Sequence, residues 1–116
     1  MITISETNNV PVPVRRAVRK LGADIRAARL RRRIPASIIA DRSSMSVSTL
    51  RKIEQGGAGV SLGNYASVLF SLGLVDRLAE VADARSDVVG LTLEEERLPK
   101  RIRNSRSNMY KRREEP

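Results

Sequence analysis

The sequence predicts an all-α fold, a five-helix domain with a basic C-terminal extension. Three observations carry this reading. Apolar residues recur at spacings of three and four, as in Val14, Val18, Leu21, Ile25 and Ala28, which is the period of a helix with one buried side. Hydrophobic residues make up 41% of the chain but aromatics only 3%, so the core rests on Leu, Ile, Val and Ala, a composition suited to packed helices. Serines, prolines and glycines then punctuate the periodic stretches at positions where helices start and stop.

In chain order, residues 1–13 read as an N-terminal arm broken by Pro11 and Pro13, with MITI too short to distinguish a strand. A domain over 14–83 follows, and then an extension over 84–116. The first helix is expected from about Val14 to Arg33. Gly22 interrupts it at a cost of roughly 1 kcal/mol relative to alanine, which a closely crossing neighbour would explain. Arg26, Arg29, Arg31, Arg32 and Arg33 crowd its C-terminal half, where positive charge suits the helix dipole and reaches a phosphate backbone. Pro35 opens a second helix that ends near Arg42. Ser43 and Ser44 make a turn, Met45 fills it from beneath, and Ser46 caps a third helix.

The stretch Ala36 to Glu54 therefore has the size of a helix-turn-helix. Ile39, Ala40, Leu50 and Ile53 point inward. Ser46, Val47, Ser48, Thr49, Arg51 and Lys52 point outward, a small, polar and basic face able to lie in a DNA major groove. A helical hairpin in an unrelated interaction bundle has the same apolar spacing. Further on, Gly56 is the expected left-handed cap of the third helix. Ser61 caps a fourth helix with Leu62, Tyr65, Ala66, Leu69 and Leu72 on its inner stripe, and Gly73 closes it. A fifth helix from about Val75 to Ala82 turns Leu78 and Val81 inward. Asp87 to Leu91 is read as a short strand or a loop. Thr92-x-x-Glu95 has the form of a capping box and Pro99 of a stop, predicting one or two turns over Leu93 to Leu98. Lys100 to Pro116 is too polar to bury itself and is expected to be disordered alone.

Charge sharpens the functional reading. The net charge is +9 and the isoelectric point about 11.2, which points to a polyanionic partner. From Val14 to Ile53 twelve Arg or Lys stand against Asp24 and Asp41. From Leu74 to Leu98 seven acidic residues outnumber three basic ones, and Lys100 to Arg113 holds seven basic residues and no acidic one. The positive excess coincides with the helix-turn-helix stretch rather than with a solvated face chosen at random. Cysteine and histidine are both absent, which removes thiolate chemistry, the usual metal ligand and the usual general base. Glu94, Glu95 and Glu96 point in different directions on a helix and make a poor metal site. No cofactor is expected, and an enzyme is the least favoured class. No apolar run approaches the length of a membrane span, and the N-terminus has no signal-peptide pattern, so a cytoplasmic, nucleoid-associated protein without membrane contact is expected.

The segments LGADIRAARLRRR, IIADRSSMSVSTLRKIEQGGAGVSL and YASVLFSLGL resemble the XRE, lambda-repressor-like DNA-binding family over about Leu21 to Leu74, with LRKIEQG the most specific part. The resemblance implies that Glu54 is structural and that the following glycine turns the chain. It also marks two departures: Ala36 stands where many relatives carry a phosphate-binding Gln, and Ser44 where glycine is common, so a left-handed Ser44 would cost about 1–2 kcal/mol. GVSLGNYASVLFSLGL and LTLEEERLPKRIR are similar to antitoxin-like regulators of the HipB type, which accompany HipA-like serine/threonine kinase toxins.

Together these readings describe a homodimeric transcriptional repressor on double-stranded DNA, with a HipA-like kinase toxin as partner. Ser46, Val47, Ser48, Thr49 and Arg51 are assigned to base edges. Arg29, Arg31, Arg32, Arg33 and Arg42 are assigned to phosphates, and Lys52 leans the same way. A free-standing repressor without a toxin, and a protein-interaction module without DNA specificity, are the alternatives.

Overall fold

Pro13 falls in the first turn of α1, where its missing N–H breaks no helical bond, and Arg15 N–H donates back to Pro11 O at 3.0 Å. For that reason α1 starts two residues before the expected Val14 and spans Val12–Arg31 in the computed structural model, which describes residues 10–98. The elements that follow are α2 (Ala36–Arg42), α3 (Val47–Glu54), α4 (Leu62–Ser71), α5 (Val75–Ala79), a 3-10 turn at Ala84–Ser86 and α6 (Val88–Arg97). No strand occurs among the described residues, and the fold is all-α. The expectations for residues 1–9, for Pro99 as a stop and for Lys100 to Pro116 lie outside the described residues.

The first four helices end in the same way. At each end one residue turns left-handed, its N–H bonds back to the carbonyl three residues earlier, and the next N–H reaches past that carbonyl to the one before it. Arg33 N–H meets Leu30 O and Ile34 N–H meets Arg29 O after α1; Ser44 meets Asp41 O and Met45 meets Ala40 O after α2. Gly56 with Gly57, and Gly73 with Leu74, repeat the pattern after α3 and α4. These paired bonds satisfy carbonyls that a helix end leaves open. Gly56 and Gly73 adopt φ of 78° and 77° freely, whereas Arg33 at 54° and Ser44 at 56° carry a Cβ into that region. The left-handed turn at Arg33 is what stops α1 at Arg31 instead of Arg33.

Contacts divide the chain into two compact units, Met1–Leu78 and Ala79–Pro116. The core of the first unit is Ile25 and Ala28 of α1, Ile39 and Ala40 of α2, Leu50 and Ile53 of α3, and Tyr65, Val68, Leu69 and Leu72 around α4. Val18, Leu21, Met45 and Leu78 pack against its margin. Four expected inward residues are not in the core, Ala66 among them, since it is only partly buried at the edge of the docked stripe of α4. Leu62 is 67% exposed, because α4 docks on a stripe rotated toward Val68, which is fully buried. Val81 is 75% exposed, because α5 already ends at Ala79. Val14 is also exposed, so the inner stripe of α1 begins a turn later, at Val18.

In the second unit Asp87 caps α6, its side chain accepting from Gly90 N–H at 3.0 Å. Asp87 to Leu91 is therefore a helix start and not a strand or loop, and Thr92 lies inside α6 instead of capping it. Among the described residues no helix is long and apolar enough to cross a membrane.

Candidate nucleic-acid interface

The outward face of α3 depends on how the helix is held from behind. Gly22 of α1 lies against the backbone of α3's last turn: a Cβ there would run into Ile53 O and would stand 2.7 Å from Gly56 N and 3.0 Å from Glu54 O. The glycine that weakens α1 as a helix is what lets α3 cross it this closely. Seven residues further along α1, Arg29 closes a second contact. Its Nε donates to Glu54 Oε2 at 2.7 Å, its Nη2 to Glu54 Oε1 at 3.1 Å, and its Nη1 to Ile34 O at 3.0 Å. The two side chains are only 11% and 7% exposed. The bidentate bond to Glu54 raises the Arg29 pKa above its ordinary value, against the opposing effect of burial.

This corrects one assignment and explains another. Arg29 is not a phosphate-gripping residue, because its fork is turned inward and consumed by Glu54 and the Ile34 carbonyl. Glu54, the only acid in α3, is nearly closed to solvent and neutralised by Arg29. Tyr65 ties the loop after α3 to α4 by donating to Gly57 O at 2.7 Å, and burial raises its pKa. The hydroxyls of Ser43 and Ser71 share a hydrogen bond of 2.9 Å, which fastens the end of α2 to the end of α4.

The outer face itself is narrower than its sequence. Ser46 caps α3, its Oγ accepting from Thr49 N–H at 3.0 Å and donating to Thr49 Oγ1 at 3.0 Å. Thr49 is half-buried, and Val47 is half-buried against the core. Ser48, Arg51 and Lys52 are exposed, and Arg51 and Lys52 make no ion pair among the described residues. Arg42, at the end of α2, is exposed and equally unpaired. Arg31, Arg32 and Arg33 are exposed at the end of α1, with Arg32 Nη1 donating to Ala28 O at 2.9 Å.

Gln55 was not among the expected residues. It is exposed one turn beyond Arg51, and the two line a shallow depression with Arg26, Ala36 and the Arg29–Glu54 pair. Its spacing of four from Arg51 is the signal that identifies it. Comparison with known proteins finds no matching protein family, no matching curated protein and no matching solved structure.

Proposed function

We propose that the first unit is a sequence-specific DNA-binding module of helix-turn-helix type, with α3 as the reading helix, and that the chain acts as a homodimeric transcriptional repressor. The observation that carries the reading is the sorting of charge on α3. Its one carboxylate is buried against Arg29, while Ser48, Arg51 and Lys52 remain exposed and without ion partners among the described residues. A short helix presenting hydroxyl and guanidinium groups, with its one acid nearly closed to solvent and paired to Arg29, fits base edges in a major groove. Arg42, Arg31, Arg32 and Arg33 supply exposed positive charge on neighbouring helix ends, suited to phosphates and to the salt-dependent part of affinity. Of the residues assigned to base edges, Ser48 and Arg51 have the freest polar atoms, and Gln55 joins them. Ser46 and Thr49 act mainly by shaping the start of the helix, and Val47 offers a half-buried methyl surface. The further reading, an antitoxin acting with a HipA-like kinase, is supported by the resemblance of LTLEEERLPKRIR and belongs to the same proposal.

Fluorescence anisotropy of the purified chain on DNA from upstream of its own gene tests the reading, with a scrambled duplex of equal length as control. Specific reading gives a preference of about a thousandfold or more at near-physiological salt. Arg51→Ala should relax that preference, whereas Arg42→Ala should weaken binding to both duplexes and lower the salt slope by about one. Equal, weak binding to both duplexes, unchanged by Arg51→Ala, would leave only electrostatic attraction and sink the proposal.

A further inference from the structure

We infer that the depression lined by α1 and the end of α3 seats one phosphate group, held by Arg26 of α1 and Arg51 of α3. Arg26 stands three residues before Arg29, and Arg51 three before Glu54, so the clasp that joins the two helices brings both arginines to one place. Gln55 lines the same depression, and Ala36 of α2 adds only a methyl group. The charges there are those of Arg26, Arg29, Arg51 and Glu54. Arg29 and Glu54 neutralise each other. Arg26 and Arg51 are exposed and make no ion pair or side-chain hydrogen bond among the described residues. On α1 the neighbours of Arg26 one turn away are Gly22, Ala23, Arg29 and Leu30, none of them acidic, and Asp24 is already paired with Lys20 at 2.6 Å.

Like charges lining one depression repel, and an anion shared between them relieves that repulsion. The ligand is small and polar, because the depression offers two open guanidinium forks and an amide but only one methyl group to an apolar body. A planar carboxylate is satisfied by a single fork, as Glu54 is by Arg29. The tetrahedral oxygens of a phosphate diverge and can meet forks on two helices at once. Arg51 keeps donors for a second task, since a guanidinium carries five N–H groups and a bidentate phosphate contact takes two of them. With one edge on a phosphate and the other on a base, Arg51 ties the reading helix to the strand it reads. Arg26 takes up on α1 the phosphate role for which Arg29, one turn further on, is not free. The inference deepens the proposed function and rests on it only for the source of the phosphate, a DNA backbone. A free phosphoryl compound offers the same chemistry.

Inorganic phosphate is the first probe, exchanged for chloride at constant ionic strength in a solution of the full chain without DNA, with the arginine Nε–H resonances as readout. The signals of Arg26 and Arg51 should move together and saturate with one dissociation constant. That of Arg16, exposed on α1 and outside the depression, should drift without saturating. Arg26→Ala, at an exposed position, should abolish saturation at Arg51 while the circular dichroism spectrum stays native. Acetate at equal ionic strength should not reproduce the effect. A second arm uses duplexes of the upstream DNA in which single phosphates are replaced in turn by neutral methylphosphonates. At one position at least, the unmodified chain should lose affinity by about tenfold or more, the size of a charge-assisted hydrogen bond, and R26A should lose nothing further there. Saturation by phosphate with no such position would uphold the seat and make a free phosphoryl compound its ligand. Shifts at Arg26 and Arg51 that never saturate, saturation at Arg51 that survives R26A, or an equal response to acetate would overturn the inference. Because the first arm contains no DNA, the seat can fail while the duplex preference persists, and the preference can fail while the seat holds.

Discussion

Removal of Arg29 should be among the most damaging substitutions in the chain. Its guanidinium and the Glu54 carboxylate are 2.7 and 3.1 Å apart at their two contacts and nearly closed to solvent. Arg29→Ala leaves Glu54 buried without its counter-charge and Ile34 O without its donor. Breaking a buried pair from one side costs about 3–5 kcal/mol. In a domain of this size that corresponds to a drop in Tm of roughly 12 °C or more, at about 4 °C or more per kcal/mol. Glu54→Ala should cost a similar amount, because it strands the guanidinium. The double variant R29M/E54L, which replaces both charges by apolar groups of similar reach, should lie close to the unmodified protein, since the desolvation of two ions is removed together with their attraction. Urea denaturation followed by circular dichroism measures all four proteins. If each single substitution costs under about 1 kcal/mol, as exposed pairs do, or if the double variant is as unstable as the sum of the singles, the reasoning from burial is wrong.

Three further outcomes follow from backbone and burial. Gly22→Ala should destabilise by about 1–3 kcal/mol despite alanine's better helix propensity, because the new methyl meets backbone atoms of α3 that cannot swing aside; a gain in Tm would refute the close crossing. Ser44→Gly should raise stability by about 0.5–1 kcal/mol, the relief of a left-handed Cβ less the added freedom of the unfolded chain, and an unchanged denaturation midpoint would count against strain at that turn. Tyr65 should make the fold sensitive to alkali. Burial raises its folded pKa above the ordinary 10.0, so its contribution is complete below that value and is lost as pH rises through the folded pKa. The urea midpoint should therefore fall as pH rises above about 10, and Tyr65→Phe, less stable at neutral pH by about 1 kcal/mol, should flatten that fall.

Much of the first unit was legible because its signals are local. Ser46 and Ser61 cap the helices they precede, Gly56 and Gly73 take the left-handed turns, and Ser44 takes one although it is not glycine. Gly22 announced a close neighbour without saying which. The misreadings have a common cause in tertiary docking. On α4 the stripe with Leu62 and the stripe with Val68 share Tyr65, Leu69 and Leu72 and differ by a modest rotation, and only the neighbouring helices choose between them. Arg29 sits in a run of arginines that look alike in sequence, and its partner is 25 residues away. In the second unit Val88-Val89 looked strand-like and Thr92-x-x-Glu95 looked like a helix start. Asp87 supplies an earlier cap, and the helix propagates from there through both.

The buried pair also bears on what the surface can do. An acid at the end of an exposed helix would repel phosphate, and the simplest remedy is to delete it. Here Glu54 is kept, but turned inward on Arg29, so that the group most hostile to a polyanion becomes the clasp between α1 and α3. The loss of Arg29 from the outer surface costs no net field, because the acid it neutralises leaves with it. What remains outside is Arg51, Lys52 and Ser48 on a helix whose position is set at two points, the Gly22 crossing and the Arg29 fork. On the proposed function this separates two kinds of failure. Changes at Gly22, Arg29 or Glu54 act on every ligand through folding. Changes at Arg51 alter which sequence is preferred while the thermal transition stays where it was.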